Sequence, residues 1–202
     1  MVEEKSARLL VDPGIWSEDV SELKNIDALF ISHEHQDHTD PEKIKTLVQN
    51  NSEMVIYTNL GVGKILAENN FKWTEFIGGQ IITIKDASVE AVGEKHAVIY
   101  PDYAKGNVLN TGFLFANRLY YPGDSFNLPN KPVEILALPV CAPWLKMSET
   151  IDFAKAIKPK IFFPVHDGML KHVGPFHGAP KALLEPEGMQ IIIPEIGQTF
   201  EV

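Results

Sequence analysis

The run Ala28-Leu29-Phe30-Ile31-Ser32 passes without a turn residue into His33-Glu34-His35-Gln36-Asp37-His38. A short, continuous apolar segment is what a strand buried on both faces requires, so covering layers must lie on either side of it. The polar segment then emerges at the strand's end, on a rigid support with open space beyond it. Residues two apart in an extended stretch point the same way, so His33 and His35 can share one face and one metal ion. Asp37 continues that side, and His38 turns away as the chain bends toward Pro41. Imidazole together with carboxylate suits Zn²⁺, Mn²⁺ or Fe²⁺ better than Ca²⁺ or Mg²⁺, which prefer all-oxygen shells. With 7 His in 202 residues, His-x-His-x-Asp-His arises by chance in roughly one such chain in two thousand.

The rest of the chain alternates β-type and helix-type segments. Arg8 to Val11 reads as a strand closed by Asp12-Pro13-Gly14. Asp40-Pro41-Glu42 predicts a helix start, with Asp as N-cap and Pro at the first helical position, running to about residue 50 with Ile44, Leu47 and Val48 inward. Met54 to Thr58 is a strand, followed by a helix from Val62 to Asn69. Gln80 to Lys85 and Ser88 to Val92 are strands. Gly112 to Phe115 and Leu119 to Tyr121 form a hairpin across Ala116-Asn117-Arg118. Val133 to Val140, Ile161 to Val165 and Gln190 to Ile193 are further strands, and a helix capped by Ser148 runs to Ile157. Two mixed sheets with helices packed outside fit this order, in one domain spanning residues 1–202. Besides His33, two candidates stand at or just after strand ends: Asp124, after Tyr121-Pro122-Gly123, and His166.

The formal charge is −9 with no Lys/Arg run. This counts against nucleic acid and leaves room for a small-molecule substrate, which can be anionic because bound metal ions supply local positive charge. The one cysteine, Cys141, allows no internal disulfide. With a charged N-terminus and no apolar run near 20 residues, the expectation is a cytoplasmic protein without a membrane span. Cys141 itself reads as a small buried hydrophobe.

The histidine segment resembles the signature of the metallo-β-lactamase-fold hydrolases, and the chain as a whole is similar to their small branch around L-ascorbate-6-phosphate lactonase. The residues that carry this are His33 to His38, Leu10-Val11-Asp12-Pro13, His96 in Val92-Gly93-Glu94-Lys95-His96, Asp124 in Pro122-Gly123-Asp124-Ser125, and His166 in Phe163-Pro164-Val165-His166. The resemblance implies an α+β fold, a four-layer αββα sandwich of two mixed β-sheets with helices outside. It implies that His33, His35 and His96 hold one metal, that Asp37, His38 and His166 hold a second, and that Asp124 bridges them. The activity implied is hydrolysis of an ester-type bond (lactone, phosphoester or related) in a small molecule by a hydroxide shared between two divalent ions, Zn²⁺ foremost with Mn²⁺ or Fe²⁺ as alternatives. Asp37, Asp124 or a metal-bound water would protonate the leaving group. The alternative is a non-catalytic metal-binding ligand sensor, or a redox module, on the same fold.

Two departures from the family stand out. The family's usual first strand with its Gly-His pair lies ahead of the Leu10-Val11 segment, where this chain has no counterpart. That would leave an open edge which a homo-oligomer could cover. Cys141-Ala142-Pro143-Trp144 replaces a Gly-rich turn. Asp12 is expected to hold the far nitrogen of a histidine ligand or to close a turn. Asp167 is expected to be solvated, and His172 and His177 to lie on the surface or the pocket rim. Gly61-Val62-Gly63-Lys64 has the wrong spacing for a phosphate loop.

Overall fold

In the computed structural model, which describes residues 1–100 and 108–202, the buried run forms strand β3 (Ala28–Ile31), every residue of it inaccessible. It is the central strand of a five-stranded sheet with β1 (Val2–Glu4), β2 (Ala7–Val11), β4 (Val55–Thr58) and β5 (Thr74–Glu75), in the order β1-β2-β3-β4-β5. Strands β2 to β5 run parallel and β1 is antiparallel to β2. The second sheet holds seven strands in the order β12-β11-β10-β9-β8-β7-β6. These are β6 (Ile81–Ile84), β7 (Ala87–Val92), β8 (Gly112–Phe115), β9 (Leu119–Tyr121), β10 (Ile135–Pro139), β11 (Ile161–Val165) and β12 (Gln190–Ile191). The hairpins β6 to β9 are antiparallel, whereas β9 to β12 are parallel.

Alternation along each strand assigns its side chains to different layers. Leu9 and Phe30 point between the sheets and meet Val89, Ala91, Phe113 and Phe115 from the opposite one. Phe30 is the centre of this layer, its ring 5.2 Å from Phe113 and 5.3 Å from Tyr57. Leu10, Leu29 and Ile31 point outward, under α1 (Pro41–Asn50) and α2 (Leu60–Glu68), where Ile44, Leu47, Val62 and Leu66 cover them. On the far side, Leu136, Leu138 and Phe162 pack against Ile151, Phe153 and Leu184 of α3 (Met147–Ile157) and α4 (Gly174–Leu184). The layers are therefore helix, sheet, sheet, helix, as expected, and burying such large side chains contributes about 1.5–3 kcal/mol each.

Helix starts follow local chemistry. Asp40 caps α1 by accepting from the Glu42 and Lys43 amides, with Pro41 in the first turn. Helix α2 begins earlier than expected because Asn59 accepts from the Gly61 and Val62 amides. Ser148 is not a cap: α3 starts after Lys146, whose amide donates to Glu149 at 2.9 Å, and Ser148 sits inside the helix. Strands β1 and β5 are additional to the sequence expectation, as is α4. No helix among the described residues is long and apolar enough to cross a membrane.

Candidate metal centre

Strands β2, β3 and β4 of one sheet and β7, β9, β10 and β11 of the other end at the same edge of the sandwich, and the loops leaving them meet there. Asp12 follows β2, His33 to His38 follow β3, His96 follows β7, Asp124 follows β9 and His166 follows β11. All seven residues expected to ligate metal converge, in two groups whose candidate ligand atoms lie within 4.8 Å of one another: His33, His35, His96 and Asp124, and Asp37, His38 and His166.

In the first group His33 Nε2 is 3.1 Å from His35 Nδ1, and Asp124 Oδ2 lies 3.4 Å from His96 Nε2 and 3.9 Å from His33 Nε2. In the second, Asp37 Oδ2 is 3.4 Å from His166 Nε2 and 3.7 Å from His38 Nε2. Asp124 joins them, because its other oxygen, Oδ1, is 3.2 Å from Nε2 of both His38 and His166. Buried polar atoms are normally hydrogen-bonded. Here His38 Nε2, His96 Nε2, His166 Nε2 and Asp124 Oδ1 are buried with no hydrogen-bond partner. Four orphaned atoms of ligand type, converging from both sheets, are what a pair of divalent cations would satisfy. The donor set, imidazole plus carboxylate, fits Zn²⁺, Mn²⁺ or Fe²⁺.

The surrounding bonds fix which nitrogen of each ring faces inward. His96 Nδ1 donates to the Ala97 carbonyl and His166 Nδ1 to the Cys141 carbonyl, both at 2.5 Å. His38 Nδ1 donates to Asp12 Oδ2 at 2.7 Å. Ser32 Oγ donates to the same Asp12 oxygen at 2.6 Å and so can accept from His33 Nδ1 at 3.0 Å. In the neutral form of each ring these bonds place the proton on Nδ1 and leave the Nε2 lone pair available to a metal. Asp12 also receives the Ser32 amide and the Tyr121 hydroxyl, each at 2.7 Å. Both roles weighed for it are thus present: it orients a histidine, and with φ of +45° it turns the chain.

Backbone packing sets the positions of the loops. A Cβ on Gly14 would lie 1.8 Å from the Asp37 carbonyl oxygen, so only glycine lets the β2 loop press on the histidine segment. The Asp124 amide donates to Asn110 Oδ1, whose Nδ2 donates to Pro122 O, both at 2.9 Å. Gly123, at φ +60°, faces that asparagine and Ser32. His166 itself adopts φ of +63°.

Electrostatics follow from this crowding. Burial lowers the His33 pKa well below the ordinary value, helped by the neighbouring His38. For His38, burial works downward but the carboxylates of Asp12 and Asp124 outweigh it, raising the group to about 10 in the metal-free protein. Burial likewise opposes protonation of His166, and the nearby carboxylates of Asp124 and Asp37 raise it to about 11. Asp124, which burial alone would push up, is held well below the carboxylate range by His166, His38 and His96.

Two expectations need correction. Asp167 is not simply solvated: its Oδ2 lies 2.7 Å from His177 Nε2, so His177 reaches the site's outer wall through α4. Cys141 is half-buried, because its strand has ended and its carbonyl is turned to His166. Strand β1 lies ahead of β2 and pairs Val2 with Leu9 along that edge. His172 is exposed, as expected, and Gly61 to Lys64 form the first turn of α2. The sequence reading missed Asn110, Tyr121 and Asn59, which hold the loops, and gave Trp144 no contact. Trp144 donates its indole N–H to Asp124 at 2.7 Å.

The sequence pattern of the β-lactamase superfamily domain matches residues 1–166. The chain belongs to the metallo-β-lactamase superfamily. Within that superfamily, Rv0786c of Mycobacterium tuberculosis is 32% identical over 168 residues, covering 81% of this chain and 77% of its own. A metal-dependent hydrolase of Thermoplasma acidophilum is 23% identical, covering 96% of this chain and 91% of its own. A solved structure from Parabacteroides distasonis superposes with a TM-score of 0.74 at 26% identity, covering 93% of this chain and 84% of its own. This member of the metallo-β-lactamase superfamily is a metal-dependent hydrolase, and its His/Asp clusters gather at the strand ends.

Proposed function

We propose that the chain hydrolyses an ester-type bond of a small molecule (a lactone, phosphoester or related bond) with two divalent ions, zinc foremost. The observation that carries this reading is Asp124, whose two oxygens each face a different histidine group at 3.2 to 3.9 Å. His33, His35 and His96 would hold one ion, Asp37, His38 and His166 the other, and Asp124 both. When bound, such a pair supplies a water of lowered pKa as nucleophile and Lewis acidity for the oxygen that gains charge.

The protein's own contribution is orientation and proton transfer. Asp124 is buried, with donors or histidines around both oxygens, and keeps its charge. Asp37 is the better proton carrier, because its side chain is 18% exposed against 4% for Asp124. Ile15, Trp16, Val98 and Met169 are exposed in the segments that leave β2, β7 and β11 beside the ligands, and Leu60 is exposed at the start of α2. Both arginines lie elsewhere: Arg8 binds Glu3 and the Lys24 carbonyl, and Arg118 binds Glu134. An apolar rim without an arginine favours a lactone or carboxylic ester over a phosphorylated substrate, and with the charge of −9 supports a small molecule over nucleic acid.

Elemental analysis of wild type, His35→Ala and Asp124→Ala, before and after reconstitution, tests the reading. Close to two transition-metal ions in wild type, fewer in both variants, and turnover in a screen of lactones, esters, thioesters and phosphodiesters is the expected result. No metal after reconstitution refutes it. Full metal with no turnover on any of these classes favours the non-catalytic sensor.

A further inference from the structure

The two oxygens of Asp124 have different surroundings. Oδ2 accepts from Trp144 Nε1 at 2.7 Å in the interior, where Trp144 is 7% and Asp124 3% exposed. An indole N–H can only donate, so one lone pair of Oδ2 is committed to it. Oδ1 receives no hydrogen bond at all. The indole is itself held in place, its ring edge-on to Phe126 at 5.1 Å and to His96 at 6.1 Å. The turn that carries it also presents the Cys141 carbonyl to His166.

We propose that Trp144 is a positioning residue that makes the two metal positions unequal. It does so by fixing the rotation of the Asp124 carboxylate and drawing electron density from Oδ2; this rests on the two-ion reading above. The position formed by His33, His35 and His96 has Asp124 Oδ2 as its single carboxylate oxygen. The other position has Asp37 as well as Oδ1. Loss of the indole proton frees the carboxylate to turn about its Cβ–Cγ bond. The three-histidine position then loses its one oriented oxygen, while the second keeps Asp37.

The test is Zn²⁺ titration of chelator-stripped Trp144→Phe against a chromophoric chelator, with wild type and Phe153→Leu in parallel. In Trp144→Phe one of the two dissociation constants is expected to rise roughly 10- to 100-fold while the other stays within about threefold. Phe153→Leu loosens the buried core on which Phe126 packs and leaves the Trp144 to Asp124 bond in place. It should lower the melting temperature of the metal-free protein and leave both constants alone. The indole N–H resonance that disappears in Trp144→Phe should shift, in wild type, with the Zn²⁺ equivalent whose constant the variant weakens. Unchanged constants in Trp144→Phe, an equal change in both, or the same pattern in Phe153→Leu would overturn the proposal. Fewer than two Zn²⁺ bound by wild type overturns the two-ion reading along with it.

Discussion

Asp12→Asn keeps the shape of a buried side chain and removes its charge, and the surrounding donors make its effect calculable. Asp12 Oδ1 receives the Ser32 amide, and Oδ2 receives Ser32 Oγ, Tyr121 OH and His38 Nδ1, all between 2.6 and 2.7 Å. The new amide nitrogen must replace one oxygen. A backbone N–H cannot turn away, so the nitrogen takes the Oδ2 place and faces the two hydroxyls and the imidazole. The hydroxyls can rotate. His38 can accept only by moving its proton to Nε2, which removes the lone pair aimed at the metal position. Bonds to a charged group contribute about 1.5–3 kcal/mol against 0.5–1.5 for neutral ones, so weakening three of them costs about 3 kcal/mol. For a chain of this size that is about 6–12 °C in melting temperature. Metal affinity should fall roughly 10- to 100-fold. The pH dependence provides a second check in metal-free protein. His38 titrates at about 10 when folded against 6.5 ordinarily, so the stability its protonated form adds is complete below pH 6.5 and is lost as pH rises toward 10. The variant lacks the Asp12 part of this, so its deficit should be widest at pH 6 and narrow by pH 10. Thermal denaturation of both proteins across that range, with Zn²⁺ titration, measures it. A deficit independent of pH together with unchanged Zn²⁺ affinity would refute the argument.

Three further outcomes follow from the same geometry. Gly14→Ala forces a Cβ to 1.8 Å from the Asp37 carbonyl oxygen, so the histidine segment must shift; loss of at least one bound metal and a stability deficit of about 3 kcal/mol or more are expected by elemental analysis and urea unfolding. Gly123→Ala places a side chain at φ +60° and 2.4 Å from Asn110 Oδ1, which should destabilise by about 2 kcal/mol or more and lower turnover by displacing Asp124. Metal uptake near neutral pH should release protons, because His38 and His166 are raised to about 10 and 11 without metal; an indicator dye in weak buffer reads this, and metal binding without proton release would contradict it.

The sequence revealed different parts of the site for different physical reasons. His33 to His38 could be read directly, since adjacent residues on one extended segment must share a face. His96, Asp124 and His166 come from another sheet, and no local rule brings them to His33; only the family pattern placed them. Trp144 escaped because its partner is a tertiary neighbour twenty positions away. Strand β3 was plain from its apolar run. Helix α4 was hidden by Gly174, Pro175, Gly178 and Pro180, residues of low helix propensity that are held helical by packing of Leu184 and Phe176 against the second sheet. Ser148 misled because a serine is a frequent cap, whereas here the Glu149 carboxylate takes the Lys146 amide instead.

The division of ligands between the sheets has a consequence for synthesis. The first sheet is drawn from residues up to Glu75 and carries Asp37 and His38, whereas His166 arrives only with β11. A nascent chain can therefore present His33, His35, Asp37 and His38 long before His96, Asp124 and His166 exist. Metal retention would then report a completed sandwich, since fragments that stop short of β11 lack a candidate ligand.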